Sequence, residues 1–407
     1  MIDDWSRGEA GFFLERGEAL EQVGRLDEAM GEFKRAIRAD PGLAEAHMAL
    51  GFHYRRKSLL SKAAEEFRTA ASLAPSYDSH FNLGHVLVDL GLYQEAIAVF
   101  NQCLAIAPGD PAVGYEIAFA LYSARDHAAA LEQLQPLLAA HSDDWELCYL
   151  AGSCKLGLGQ YQRAEADLER ALELLPPDED DDDLWEALQT ALRHQEFASL
   201  APWDVKARLY AEYGAVCLGS LGDDGLSFAV QPRDRISHQD IGRILQRFHA
   251  LRLSWHWCFD SVVAVDLQST PLALALAHSM KAQLVEPHQA AEDGWTLMAW
   301  ATVTVPELLT VVAERVRGPF ISLVAALDEA SLERVMPDVI GLVSTDRVAM
   351  PWDSMANHPT MVLAAREILA SVKSLPPDDT LAAQVAYYTS QHRRLRFSPV
   401  ALYRSGP

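Results

Sequence analysis

Few side chains in this 407-residue sequence stand at spacings that chemistry could use. Gly222-Asp223-Asp224-Gly225 offers two carboxylates to a metal, yet Asp-Gly between two β-rich runs is first of all a hairpin turn. Trp255-His256-Trp257-Cys258 sets one imidazole beside one thiol. A zinc site needs more ligands than that, and the stretch reads as a helix end leading into a buried strand. Consecutive acids from Asp178 to Asp183 lack the spaced oxygen ligands of a calcium loop. They read as a solvated linker whose last aspartates cap the next helix. Arg393, Arg394 and Arg396 form a basic cluster suited to decorating a C-terminal helix or docking on acidic surface, the protein's own first half included. No GxSxG, HExxH, P-loop lysine motif or GxGxxG occurs. The sequence therefore assigns no catalytic residue, no metal ligand and no cofactor, and it argues against an enzyme.

The charge balance narrows the partners. Lys+Arg 34 against Asp+Glu 57 gives a net charge of −23. That excludes a general nucleic-acid binder, which needs basic surface to neutralise phosphate. The excess is uneven: residues 1–200 hold 35 acids and 16 bases, residues 201–407 hold 22 and 18. No run approaches the ~18 apolar residues of a membrane span. The N-terminus lacks the basic-then-apolar order of a secretory signal. Cys103, Cys148, Cys154, Cys217 and Cys258 are scattered without CxxC spacing and read as reduced, mostly buried thiols, which predicts a cytoplasmic protein. A chain this long exceeds what one core supports, since single cores stop growing near ~250–300 residues.

The elements that must position any site differ between the two halves. In the first, small residues recur at Gly17, Gly51, Gly84, Ala118 and Gly152, in steps of 34, 33, 34 and 34. Alanine follows at Ala29, Ala63, Ala96, Ala130 and Ala164, then Phe33, Phe67, Phe100, Leu134 and Leu168. Pro41, Pro75, Pro108, Ser142 and Pro176 close the units. A small residue lets one helix approach its neighbour, the large one fills the remaining space, and proline stops the second helix. Over residues 8–176 this pattern resembles the tetratricopeptide repeat (TPR) family, which implies an α-solenoid of five helix pairs. Repeat four departs most, with Ala118, Leu134 and Ser142, and its geometry should be looser. Residues 177–200 then read as an acidic linker and a capping helix over 184–198.

The resemblance implies that the first helix of each pair lines a concave groove through its second, fifth, ninth and twelfth places. The fifth and ninth read Leu14 and Glu18, Met48 and Phe52, Phe81 and His85, Tyr115 and Phe119, Tyr149 and Ser153; Tyr122 and Leu156 continue at twelfth places. The lysine, asparagine and arginine with which chaperone-binding members grip a C-terminal carboxylate are missing, apart from Arg55 and Arg56 near the edge. The candidate partner-binding residues are Met48, Phe52, Phe81, His85, Tyr115, Phe119, Tyr122 and Tyr149. They predict a groove for an apolar or aromatic segment, from a protein or peptide partner or from this chain's second half. The alternative is that these side chains only pack helix on helix.

After Pro202 short β-rich runs alternate with helical stretches, which predicts an α/β domain with a mostly parallel sheet over 201–375, then a C-terminal helix and tail over 376–407. Expected strands are 215–220, 226–230, 261–266, 283–285, 296–301, 320–327 and 339–344. Expected helices are 237–254, 271–280, 306–317, 331–336, 360–374 and 381–392. Ser237 with Asp240 makes a capping box. The segment Ser261 to His278, then Trp295–Arg317 with Phe320–Leu327, and Val348-Ala-Met-Pro-Trp-Asp353 resemble the type I phosphoribosyltransferases in order and spacing across about 261–355. That family's chemistry implies two adjacent carboxylates for the ribose hydroxyls and a glycine-bearing loop for the 5′-phosphate. Trp300 and Ala301 stand at the carboxylate positions, and Leu297 to Pro306 contains no glycine. Asp266, Gln268, Ser269, Thr270, Thr302 and Thr304 are what remains for a ligand loop.

The sequence thus predicts a non-enzymatic scaffold that binds a partner in the TPR groove and uses a degenerate phosphoribosyltransferase-like domain as a second surface. The alternative is a nucleotide or phosphosugar sensor coupling the α/β domain to the array.

Overall fold

The structure, a computed structural model, describes residues 2–179, 181–197, 204–219, 230, 232–332, 334–353, 358–389 and 394–395. The Gly222–Gly225 turn, Asp180, most of the 226–230 run, Arg393 and Arg396 lie outside them. Packing divides the chain into two compact units, Met1–Leu188 and Gln189–Pro407.

The first unit is a succession of helix pairs. They are α1 (Ile2–Gln22) and α2 (Leu26–Ala39), α3 (Ala44–Arg56) and α4 (Leu60–Leu73), α5 (Tyr77–Asp89) and α6 (Tyr93–Ile106), α7 (Pro111–Ser123) and α8 (His127–Ala140), α9 (Trp145–Gly157) and α10 (Tyr161–Leu174). The small-to-large pattern is the contact inside each pair. A methyl added at Gly17 would sit 2.4 Å from the Phe33 ring, at Gly51 2.7 Å from Phe67, and at Gly84 2.4 Å from Phe100. Only glycine admits the phenyl ring at that distance. Repeat four solves the same contact with Ala118 and the smaller Leu134, both fully buried. Its second helix also carries Pro136 in its interior, which removes one helical hydrogen bond. Within each pair the two helices are joined by a turn with a left-handed residue at Gly24, Ser58, Gly91, Arg125 and Gly159, φ 77°, 56°, 74°, 62° and 71°. Asp110, Asp126 and Asp144 cap α7, α8 and α9.

The division between units falls inside α11 (Asp182–Glu196). Asp181 Oδ1 accepts from Leu184 N at 2.8 Å, as expected of the acidic run. Its far end belongs to the second unit, where the buried Arg193 donates to the Ala211 carbonyl at 3.2 Å, and Phe197 meets Tyr210 edge-on at 5.7 Å. The following helices and strands are α12 (Val205–Tyr213), β1 (Val216–Cys217), α13 (His238–Ser254), β2 (Ser261–Ala264), α14 (Thr270–Met280), β3 (Gln283–Leu284), β4 (Thr296–Thr302), α15 (Leu308–Ala313), β5 (Phe320–Asp328), β6 (Val339–Ser344), α16 (His358–Ser374) and α17 (Leu381–Thr389).

The strands form one sheet in the order β1-β6-β5-β4-β2-β3, parallel throughout. β4 is buried along its whole length, the pattern of a strand covered on both faces. On one face α13, α14, α16 and α17 enclose a core that includes Phe248, Leu272, Ile368 and Tyr388; on the other lie Leu209 of α12 and Val312 of α15. Ser237 and Asp240 make the expected capping box.

Three expected elements differ. The 215–220 strand shrinks to two residues because the Leu218 carbonyl turns to Arg247 Nη1 (2.8 Å) and Gln384 Nε2 (2.6 Å). The 306–317 helix is limited to Leu308–Ala313. Among the described residues the expected helix at 331–336 gives way to a 3-10 turn, Glu329–Ser331, which Asp328 caps by accepting from the Ser331 amide (3.0 Å) and hydroxyl (2.9 Å). The C-terminal helix is part of this fold, since Tyr388 Oη donates to the Cys217 carbonyl at 3.0 Å.

Candidate functional site: the groove of the repeat array

The eight groove candidates lie on the first helices of repeats two to five. Phe52 and Phe119 are exposed, at 39% and 36%; the other six are half-buried. They therefore pack against second helices and reach solvent as well. Phe52 meets Phe67 edge-on at 5.1 Å; Phe81 meets His85 at 4.5 Å and Phe100 at 6.0 Å. Tyr115 and Phe119, one turn apart on α7, hold near-parallel rings 6.5 Å apart. Tyr122 lies beside His127 of α8, ring centroids 5.5 Å apart. Leu14 is half-buried and Glu18 exposed.

A group outside the expected pattern stands among these rings. Glu116 occupies the sixth place of α7, 3.5 Å from His85 Nδ1, with 17% of its side chain exposed. Burial first, and the Asp89 charge next, push its carboxyl up to about 7, against the pull of Arg55. Burial, then Arg55, holds His85 below its usual value. Both groups are driven toward their neutral forms, so the contact is not a firm ion pair despite its distance. The signal that could have found Glu116 is its isolation: it is the only charge in Pro111–Ser123.

Two concavities open here. One, of about 470 Å³, lies among Glu21, Phe52, Arg55 and Arg56. The other, of about 390 Å³, lies where α7, α8 and α9 meet, with Tyr115, Glu116, Leu137, Asp144, Glu146 and Leu147 in its wall.

In the second unit the ligand-loop candidates gather where the sheet order reverses, at the C-terminal ends of β2 and β4. Asp266 accepts from Ser269 N (2.8 Å), Ser269 Oγ (2.6 Å) and Trp300 Nε1 (3.2 Å). Ser269 Oγ also accepts from Ala301 N at 2.9 Å, and the Gln268 carbonyl accepts from Trp352 Nε1 at 2.8 Å. Thr302 is buried, while Thr270 and Thr304 are half-buried. Asp266, Ser269 and the Gln268 carbonyl are thus engaged within the crevice, two of the partners being buried indoles. Trp255-His256-Trp257-Cys258 follows α13, with His256 in the left-handed region at φ 57°. All five cysteines are free, and Cys258 is exposed. Among the described residues no group of three or more His, Cys, Asp or Glu is placed to hold a metal ion. Nor, among them, is any helix long and apolar enough to cross a membrane.

The N-terminal region is built of tetratricopeptide repeats: models of that family match residues 4–44, 14–78 and 48–111, 87–146, and 146–177. Among known proteins, the chain is 28% identical over 182 residues to DnaJ homolog subfamily C member 3 of Gallus gallus, covering 40% of this chain and 35% of that one. It is 30% identical over 84 residues to BBSome complex member BBS4 of Bos taurus, covering 21% and 16%. The chain thus spans about a third or less of these relatives' length. Among solved structures, MamA aligns with a TM-score of 0.39 at 21% identity, covering 41% of this chain and 91% of that one. YrrB, a TPR protein with an unusual peptide-binding site, aligns at 0.38 and 20%, covering 41% and 86%.

Proposed function

We propose that this chain is a non-enzymatic interaction protein whose TPR groove holds a protein or peptide partner. The aromatic row from Phe52 to Tyr149, part-exposed on successive first helices, carries this reading. Rings in a concave, partly desolvated surface are what interfaces use as anchors. The α/β unit serves as a second binding surface on a phosphoribosyltransferase-like fold that has lost the reaction. Support for that loss is Trp300 and Ala301 at the carboxylate positions and the engagement of Asp266 with Ser269 and Trp300.

Affinity capture with the full chain identifies the partner, and Phe119→Ala tests the groove. An anchor is worth ~2 kcal/mol or more, so capture should weaken about 30-fold. Unchanged affinity with a lowered melting temperature would mean that the rings only pack helices. A second reading, a nucleotide or phosphosugar sensor, is favoured by one observation: the candidate loops lie at the point of sheet reversal, where α/β folds bind ligands. Calorimetry with nucleotides and phosphosugars decides it, and heat of binding lost in Ser269→Ala would favour the sensor.

A further inference from the structure

The concavity between α7, α8 and α9 has walls of two kinds. Pro111, Leu137 and Leu147 are apolar; Glu116, Asp144 and Glu146 are acidic, and Tyr115 lines it as well. Asp144 is engaged in capping α9, accepting from the Glu146 amide at 3.0 Å and the Leu147 amide at 3.2 Å. Glu116 and Glu146 have no lysine or arginine within ion-pair distance among the described residues. Arg55 acts on Glu116 only from beyond that distance, and residues 69–154 contain ten acids and a single base, Arg125. Burial disfavours the ionised form of Glu116, Arg55 offsets that only in part, and a cation bound in the concavity would favour it further. The acids also act on the phenol of Tyr115. Burial, then the charges of Glu146, Glu116 and Asp144, push its pKa up to about 12. The volume, about 390 Å³, falls at the small end of the ~300–1,000 Å³ range of ligand cavities.

We propose that this concavity is a pocket for the lysine or arginine side chain of a peptide lying in the groove. The charge sits among Glu116, Asp144 and Glu146 and over the Tyr115 face, and the aliphatic stem lies against Leu137 and Leu147. The occupant is therefore a segment with a basic residue next to apolar or aromatic ones. A bare divalent cation does not suit the site, since no cluster with metal-holding geometry is present among the described residues. The pocket rests on the reading that the groove holds a peptide and adds the chemistry that selects it.

Binding should depend on pH in a definite sense. Glu116 is faced by His85 and Asp89 from α5, Arg55 from α3, Asp144 and Glu146 from α9, and His141 at the end of α8. A cation favours the ionised carboxylate, so affinity rises as pH rises through about 7.

The test pans a random dodecapeptide phage library on the full chain, then measures synthetic, end-blocked winners by fluorescence anisotropy. Each is compared with its lysine- or arginine-to-norleucine form, on the parent chain and on Glu116→Gln, Phe52→Ala and Phe119→Ala chains. The expected winners carry a basic residue beside apolar ones. Norleucine should weaken binding at least about tenfold on the parent and under about twofold on Glu116→Gln. The basic peptide should bind more tightly at pH 8 than at pH 6, and the norleucine peptide should not. Winners that lose affinity with Phe52→Ala or Phe119→Ala but are indifferent to norleucine would overturn the cation pocket and leave the groove reading standing. No enrichment, or winners indifferent to every groove substitution, would bring down both.

Discussion

Gly84→Ala should damage the third repeat, and Phe100→Leu should repair it. A Cβ on Gly84 would lie 2.4, 2.6 and 2.8 Å from three carbons of the Phe100 ring, inside any real contact distance. Overpacking of this kind costs ~1–3 kcal/mol, while alanine's better helix propensity returns up to ~1 kcal/mol, leaving a net loss of about 1–2 kcal/mol. Phe100→Leu alone leaves a void and should cost about 1 kcal/mol. Together the methyl occupies part of the void, as Ala118 and Leu134 do naturally in repeat four. The double variant should lie near the parent, a favourable coupling of about 2–3 kcal/mol. Because a chain with two compact units need not unfold in one step, the readout is local: hydrogen exchange of peptides from α5 and α6. Gly84→Ala should speed their exchange about 5–30-fold and the double variant should bring it back. Additive losses would refute the account of why glycine recurs here.

Three further outcomes are expected. Arg125→Gly should stabilise the α7–α8 turn by about 0.5–1 kcal/mol, because relief of a left-handed non-glycine residue (φ 62°) exceeds glycine's entropic cost; thermal melting checks it, and a fall in melting temperature opposes it. Glu116→Gln should stabilise the array at pH 8 by about 1–2 kcal/mol, discounted for partial exposure, and hardly at all at pH 4. The sign follows from a folded pKa of about 7 above the ordinary glutamate value of 4.5: ionisation opposes folding increasingly between them and fully above. Denaturation at the two pH values separates the cases, and equal effects at both would contradict it. Finally, residues 1–200, with 35 acids and 16 bases, should steer a basic partner, so stopped-flow association should slow from low to physiological salt, and a salt-indifferent rate removes steering.

The repeats were legible because each helix pair needs one small and one large residue at a fixed contact, and both sit at constant spacing. The left-handed turn residues shared that spacing but escaped notice, since Ser58 and Arg125 break the glycine signal at two of five positions. In the α/β unit, apolar runs located the long strands within a residue or two. What they could not reveal was competition from side chains. Arg247 and Gln384, distant in sequence, end β1, and Asp328 sets the start of the 3-10 turn by capping it at Ser331. The aromatic row followed from helical spacing, whereas Glu116 lay one place off it. Its significance depends on burial and on neighbours from α3, α5 and α9.

The apolar interior of the array is not continuous. One buried cluster runs from Ala29 to Ile117 and another starts at Ala118, so the boundary passes through α7; among the described residues only Leu121 packs against both. Stacked repeats transmit stress only to their neighbours, and compliance collects at the weakest junction. Thermal bending should therefore concentrate at α7 and α8, where Pro136 has already removed a hydrogen bond. That joint is also the wall of the pocket at Tyr115. An occupant there would act as a splint across the soft joint, and seating it would stiffen the array as a spring.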